Sequence, residues 1–507
     1  MAKRGKPGRG GAERDAGGAS LPVRPPTRKT VARGAATGPA ESPEPPDRAE
    51  RDAAVHERER NVVMDAGAGT GKTTTLVRRV TQLVAPNDDG PALELGRLAA
   101  VTFTRKAAGE LRLRLRQELL RAADAPDLSA RRRQRLRAAL GAVDIAPIGT
   151  IHSFCDRLLR RFPMEARLAP AYEITEDTTA LEREVVERLV AAAESGTLLA
   201  ELAGAAEGIR PSAELEALAA EAEQTVRDAL EAGLLQFTVE FSDFSARVGL
   251  DGLIAALLGA RDVPFALPEA RPFDARAFRA RVEEFVALSA NVDNHHVTGR
   301  WIASYRAQLQ AALEEPPARA FARVRRYERR AKTRLGEECA GDPQAWALWK
   351  AYEKGFGRPG DEALRDALTA PFAEWLGRRL VRLRPVILEL YRAVKRDHGV
   401  VDPLDLLLEL RDLLRDHRGV RAECQGLFDH VLVDEFQDTD PLQAEIVLFL
   451  CEEGQAARDW TEVRPRPGSL TVVGDPQQSI YRFRRADIRM YDDVRRRLAA
   501  GPCLEVT

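Results

Sequence analysis

The 507-residue chain is poor in the residues that build covalent or metal-bound frameworks. Its five cysteines (Cys155, Cys339, Cys424, Cys451 and Cys503) are scattered and form no C-x-x-C pair. Zinc, iron–sulfur and disulfide-framework readings therefore lose their support. No apolar run approaches the roughly 18–20 residues that span a bilayer, and the N-terminus has no apolar signal core. A reducing cytoplasm is the expected setting, with no membrane partner. Net charge is almost absent too, because 77 Lys and Arg face 78 Asp and Glu. No global field draws the protein to nucleic acid, so any such binding must come from local patches.

The length exceeds what one compact core supports, which predicts two or more domains. Residues 1–46 are rich in Gly, Ala, Pro and Arg and nearly lack large apolar side chains. Such a segment buries too little surface to offset its ordering entropy and reads as a disordered basic tail. Its cations could brush nucleic acid; a plain solvated tail is the simpler reading.

From Asp47 the pattern becomes α/β, with short apolar runs alternating with amphipathic segments. "NVVMD" (61–65), "LAAVTFT" (98–104) and "APIGT" read as strands, followed by helices opening at Lys72, Arg105 and Ile151. Residues 165–397 carry Ala, Leu, Glu and Arg at helical spacing, with no βαβ rhythm and no chemical motif. The α/β rhythm resumes with "HVLVDE" (430–435), "SLTVVGD" (469–475) and "CLEVT" (503–507). The expected architecture is one α/β domain with a parallel sheet (47–164 and 398–507), interrupted by a large, mostly α-helical inserted domain (165–397).

Three stretches carry chemistry. The first is "MDAGAGTGKTTT" (64–75), between a strand and a helix. A phosphate loop follows G-x-x-x-x-G-K-[ST], and Ala66 stands where its first glycine belongs. Gly67, Gly69 and Gly71, with Ala68 and Thr70 between them, let the backbone curl so that N–H groups face a phosphate. The helix N-terminus adds a favourable partial charge. Lys72 is placed to neutralise the β- and γ-phosphates and Thr73 to offer a hydroxyl to Mg²⁺. A chance glycine turn is a poor account of Gly-Lys-Thr at a strand–helix junction.

The second stretch is "HVLVDEFQD" (430–438), an apolar run ending in two acids. In a parallel sheet this puts carboxylates at the C-terminal edge of a strand. Asp434 suits a Mg²⁺ ligand, usually through water, and Glu435 the base that deprotonates the attacking water. A lone acidic strand end more often caps the next helix; beside a phosphate loop that reading recedes. The third stretch, "VVGDPQQSIYRFRRAD" (472–487), interleaves Tyr481 and Phe483 with arginines. Aromatic faces for bases beside cations for phosphates are what a single strand requires, although such a segment alone is more often a cationic surface with core aromatics.

Together, in this order and with an insertion between them, the three motifs resemble superfamily 1 helicases of the UvrD/RecB type. The long insertion is closer to RecB and AddA proteins. In that family the loop commonly begins with Ala, as "AGAGTGKT" does here. "VTFTRKAAGEL" (101–111) looks like motif Ia, "IGTIHSFC" (148–155) like motif Ib, and "VVDPLDLL" (400–407) like the acidic motif before the DEFQD box, with Pro403 where an aromatic is usual. The likeness covers roughly 47–165 and 398–507; the insertion matches only in position and character.

The resemblance implies a RecA-like ATP-binding domain of an ATP-driven, 3′-to-5′ DNA helicase in repair or recombination. It makes Gln478 the glutamine that contacts the γ-phosphate. Phe103, Tyr481 and Phe483 fall where residues stack or wedge against bases, Thr104, Thr150 and His152 near the DNA backbone, and Arg484 where the strand path meets the ATP site. Partners so implied are single-stranded DNA and single/double-strand junctions. A second motor domain or a nuclease, on another chain or beyond Thr507, is also implied. The family's adenine-selecting glutamine is missing from "DRAERDAAVHE", where Arg51 sits nearby, and Arg485 replaces a usual glycine. As the chain stops before the box that opens the second motor domain, it is expected alone to bind ATP weakly, hydrolyse it very slowly and unwind nothing. An ATP- and single-strand-binding module without motor activity is the alternative. A P-loop ATPase unrelated to DNA would require the aromatic–arginine cluster to be coincidental.

Overall fold

The computed structural model describes residues 48–65, 67, 71–87, 90–205, 213–233, 236–241, 244–263, 266–290, 297–325, 361–475 and 488–506. The expectations for the 1–46 tail, Ala66, Ala68, Gly69, Thr70, Gln478, Tyr481, Phe483 and Arg484 lie outside the described residues.

Six parallel strands make the central sheet: β1 (Asn61–Asp65), β2 (Leu98–Thr102), β3 (Ile148–Thr150), β8 (His430–Val433), β9 (Leu470–Gly474) and β10 (Cys503–Val506). Their spatial order is β10-β1-β9-β8-β2-β3. Both faces are covered, as a parallel sheet requires. Alternate residues serve opposite cores. Val63, Val101, Val433 and Val472 join one core, while Val62, Ala100, Leu432 and Val473 join the other. Helices Lys72–Val84, Arg105–Ala123 and Ala130–Ala142 supply the second core; Ile151–Leu159, Pro403–Asp416, Pro441–Cys451 and Ile488–Ala499 supply the first. Because every strand runs the same way, the residues after β1, β2, β3, β8 and β9 emerge at one edge. Among the described residues no helix is long and apolar enough to cross a membrane.

Between β3 and β8 the chain leaves the sheet for a helical body with its own core, from Leu181 to Val394. Two short strands, β4 (Glu173–Ile174) and β7 (Val400–Val401), pair in parallel where the chain leaves and returns. The body is not purely helical. An antiparallel hairpin, β5 (Gln236–Phe241) with β6 (Phe244–Gly249), interrupts it. The period-two run "QFTVEF" carries that signal, which the surrounding Ala/Leu/Glu composition obscures.

The acidic motif after β7 has a structural role at this return. Asp402 caps helix Pro403–Asp416 in a reciprocal capping box with Asp405. Pro403 occupies a first-turn position, where a missing N–H costs nothing, which accommodates its departure from the family pattern. Tyr391 donates to Asp402 at 2.9 Å, and Lys395 and Arg261 pair with both acids. Burial pushes the Asp402 carboxyl up, but Lys395 and Arg261 outweigh it and hold it below the ordinary range.

Candidate nucleotide site and strand edge

β1 ends at Asp65, directly before the phosphate loop. Gly71 takes φ 88° at the N-cap of helix Lys72–Val84, a left-handed conformation that suits glycine. Its carbonyl accepts from the Thr75 N–H at 3.0 Å. A β-carbon at Gly71 would lie 3.2 Å from Arg51 Nη1, so this guanidinium lies against the loop. Lys72 begins the helix. Its Nζ is buried, makes no hydrogen bond among the described residues, and stands 3.7 Å from Glu435 Oε2.

The opposing acids follow β8, which ends at Val433. Asp434 and Glu435 therefore lie just past the strand end. Glu435 has φ 55°, one of two non-glycine residues at positive φ among those described. Such backbone is sparsely populated and persists where surroundings over-determine it. Burial, and then the Glu435 charge beside it, push the Asp434 carboxyl up to about 6. The same two causes push Asp438 up to about 6, and its Oδ1 is buried without a hydrogen bond among the described residues.

Gln437 joins this site to the next strand. Its Nε2 donates to Glu435 Oε2 at 2.7 Å, and its Oε1 accepts from the Asp475 N–H at 2.9 Å. Gly474 leaves the necessary room, since a β-carbon there would lie 2.9 Å from Gln437 Oε1 and 2.8 Å from Tyr491 Cε2. Sequence reasoning gives Gln437 and Asp438 no role, although both stand in the quoted DEFQD box.

The fit to Mg²⁺ and a triphosphate rests on these groups. A buried amine without a hydrogen bond among the described residues fits an anion, and carboxyls pushed up by burial and then by the Glu435 charge fit a cation. No three His, Cys, Asp or Glu side chains converge on a metal position among the described residues. Mg²⁺ needs no such cluster, because it uses one or two carboxylates and completes its shell with water and phosphate oxygens.

At the far side of the edge, β2 stops at Thr102, two residues short of expectation. Phe103 is half-buried in a crevice with Ile151, Asp434, Glu435 and Thr439. Thr104 caps helix Arg105–Ala123, accepting from the Ala107 N–H at 3.0 Å. Thr150 caps helix Ile151–Leu159, accepting from the Ser153 N–H at 3.3 Å. Thr102 is in register with Thr150, so Phe103, Thr104, Thr150 and His152 share one corner. Burial and the nearby Arg105 charge push the His152 pKa down, which favours a neutral ring.

Similarity to known proteins places the chain in a family. A family profile described as the UvrD/REP helicase N-terminal domain matches residues 47–254 and 371–499. The chain belongs to the UvrD/REP helicase family. The match enters the insertion from both sides, further than the motifs alone reach. An ATP-dependent helicase/nuclease subunit from Geobacillus thermodenitrificans (strain NG80-2) is 29% identical over 491 residues, covering 87% of this chain and 36% of that protein. Its counterpart of the same name from Geobacillus kaustophilus (strain HTA426) is 28% identical over 484 residues, with the same coverage. That of Bacillus cereus (strain AH187) is 28% identical over 456 residues, covering 84% of this chain and 34% of its own. The chain thus spans about a third of the length of these relatives.

Proposed function

We propose that this chain binds ATP with Mg²⁺ at residues 66–73 and supplies the ATP-hydrolysing site of a motor that moves along single-stranded DNA. It acts as the ATP-binding part of a 3′-to-5′ helicase in repair or recombination. In this reading residues 47–164 and 398–507 form the motor domain, and 165–397 its inserted helical domain. The observation that carries the reading is the buried Lys72 amine, without a hydrogen bond among the described residues and beside the carboxylate that follows β8. The helicase/nuclease subunits named above support it, and being named subunits they suggest a further polypeptide as partner; a nuclease as partner and junction DNA as substrate belong to the reading itself.

The chain's own groups divide the work. Loop N–H groups and Lys72 hold the phosphates, and Arg51 adds positive charge at the loop. Glu435 takes the proton of the attacking water while Gln437 fixes its carboxylate. Gln478 meets the γ-phosphate. Thr73 and Asp434 would hold Mg²⁺, which neutralises charge on the phosphate oxygens when bound. DNA lies along Phe103, Thr104, Thr150 and His152 and continues to Tyr481, Phe483 and Arg484.

The test is ATP turnover by the parent and by Glu435→Gln, with and without a single-stranded oligonucleotide. DNA-stimulated turnover that disappears in Glu435→Gln supports the motor. Binding of both ligands with no turnover would favour the binding module, and absence of nucleotide binding would sink both.

A further inference from the structure

Asp65 is the last residue of β1 and directly precedes the phosphate loop. A carboxylate there sets negative charge beside the place where a triphosphate would bind, which opposes binding unless it is neutralised. Both of its oxygens are engaged by one helix, Ile488–Ala499. Oδ1 accepts from the Tyr491 hydroxyl, and Oδ2 accepts from Arg495 Nη1 at 2.7 Å. Tyr491 and Arg495 are four residues apart and so share a helix face. Arg495 also grips Glu505 of β10 through Nε at 2.9 Å and Nη2 at 2.7 Å. Glu505 stands in register with Val63 of β1, so the helix is fastened to β1 and to its edge neighbour.

The Tyr491 ring reaches the other two chemical strands. It lies against Gly474, where a β-carbon would come within 2.8 Å of Cε2. Its centroid is 5.9 Å from that of Phe436 in the DEFQD box. One buried ring thus touches the chain at the ends of β8 and β9, while its hydroxyl holds the end of β1. A core position alone asks only for an apolar ring. The hydroxyl, the carboxylate before the loop and the arginine one turn on are additional. In sequence this helix continues directly from the segment that carries Gln478, Tyr481, Phe483 and Arg484.

We propose that Asp65, Tyr491 and Arg495 form a positioning latch that ties the phosphate loop to the 488–499 helix, making the affinities for nucleotide and single-stranded DNA depend on each other. The inference rests on the reading of the loop as a nucleotide site. It adds residues that touch neither ligand and act through the loop's entrance. Linkage requires the dependence to be reciprocal, with the factor the same in either direction.

The experiment measures that factor on the full chain. Affinity for a fluorescent single-stranded oligonucleotide is titrated with and without a non-hydrolysable ATP analogue and Mg²⁺, in the parent, Asp65→Asn and Tyr491→Phe. Thermal unfolding is followed in parallel. The parent should show coupling of about fivefold or more. In both variants the factor should fall towards one, while each separate affinity changes less than about threefold. Tyr491→Phe keeps the ring and so keeps the packing, which separates the latch from a merely structural role. Unchanged coupling in both variants, whatever their melting temperatures, overturns the proposal. So does a parent with independent affinities, although the nucleotide site then stands. A parent that binds no nucleotide instead removes the underlying reading, and the latch with it.

Discussion

Lys72 Nζ lies 3.7 Å from Glu435 Oε2 across the C-terminal edge of the sheet. Lys72 opens the helix that follows β1, Glu435 follows β8, and β9, which ends at Gly474, lies between those two strands in the sheet. In the proposed reading the pair sets a cation for phosphate opposite a base for water. Glu435→Gln keeps the size and a hydrogen-bonding head but removes the base. It should lower kcat by about 10²–10⁴ with KM for ATP little changed. Steady-state kinetics check this split, and a KM effect without a kcat effect would reverse the assigned role.

Gln437 is predicted to be a positioning residue for that base. Gln437→Ala frees the Glu435 carboxylate and leaves the buried Asp475 N–H without its acceptor. An unsatisfied buried donor costs about 1–3 kcal/mol. Turnover should fall about tenfold or more while nucleotide affinity is nearly kept. Parent-like turnover in this variant would show that Glu435 needs no such support.

The acids at the end of β8 should make the nucleotide-free protein less stable as pH rises. Asp434 has its pKa raised from 3.8 to about 6, so the folded chain holds that proton more tightly than the unfolded chain. The contribution is complete below the unfolded value and is lost as pH rises through about 6. Asp434→Asn removes the loss and should stabilise the nucleotide-free protein at pH 8 by about 1–2 kcal/mol. The gain should shrink at pH 5. Thermal unfolding at the two pH values decides it; destabilisation at pH 8 would mean that Asp434 is stabilising as a charge.

Where the insertion returns to the sheet, Lys395 is 5% exposed, and its partners Asp402 and Asp405 are 3% and 5% exposed. Lys395→Met leaves two buried carboxylates with only Arg261 to balance them. Breaking such a cluster costs about 3 kcal/mol, seen as a fall in melting temperature. An unchanged midpoint would show that water or Arg261 compensates.

Single-stranded DNA binding is expected to weaken with added salt, because cations that contact phosphate release counterions. Replacing Phe103 by Ala should cost about 1–3 kcal/mol of DNA affinity. Fluorescence titration measures it, with thermal unfolding as the control for lost packing. Equal affinity in the variant and the parent would assign the ring to the crevice alone.

The parts legible in the sequence are those written in short runs. "NVVMD" and "KTTTLVRRVTQLV" coincide with β1 and its following helix residue for residue, because apolar period and glycine punctuation are local signals. Lys72 and Glu435 are legible for the same reason, each within its own motif. The Gln437–Asp475 contact, 38 residues apart, and the Tyr491–Asp65 contact, 426 apart, are not. Such partners are chosen by strand order, which no local pattern writes. Phe103 and Thr104 read as strand because the apolar run continues through them. The Thr104 hydroxyl instead ends the strand by capping the next helix. The hairpin within the insertion is hidden because composition outweighs a six-residue alternation.

The central claim is that residues 66–73 with Lys72 hold a triphosphate. Calorimetric titration of the chain with a non-hydrolysable ATP analogue and Mg²⁺ tests it most directly, comparing the parent with Lys72→Ala. The account predicts one site in the parent and affinity weakened about tenfold or more, at least about 1.4 kcal/mol, in Lys72→Ala. No binding by the parent, or equal affinity in the two proteins, would contradict it.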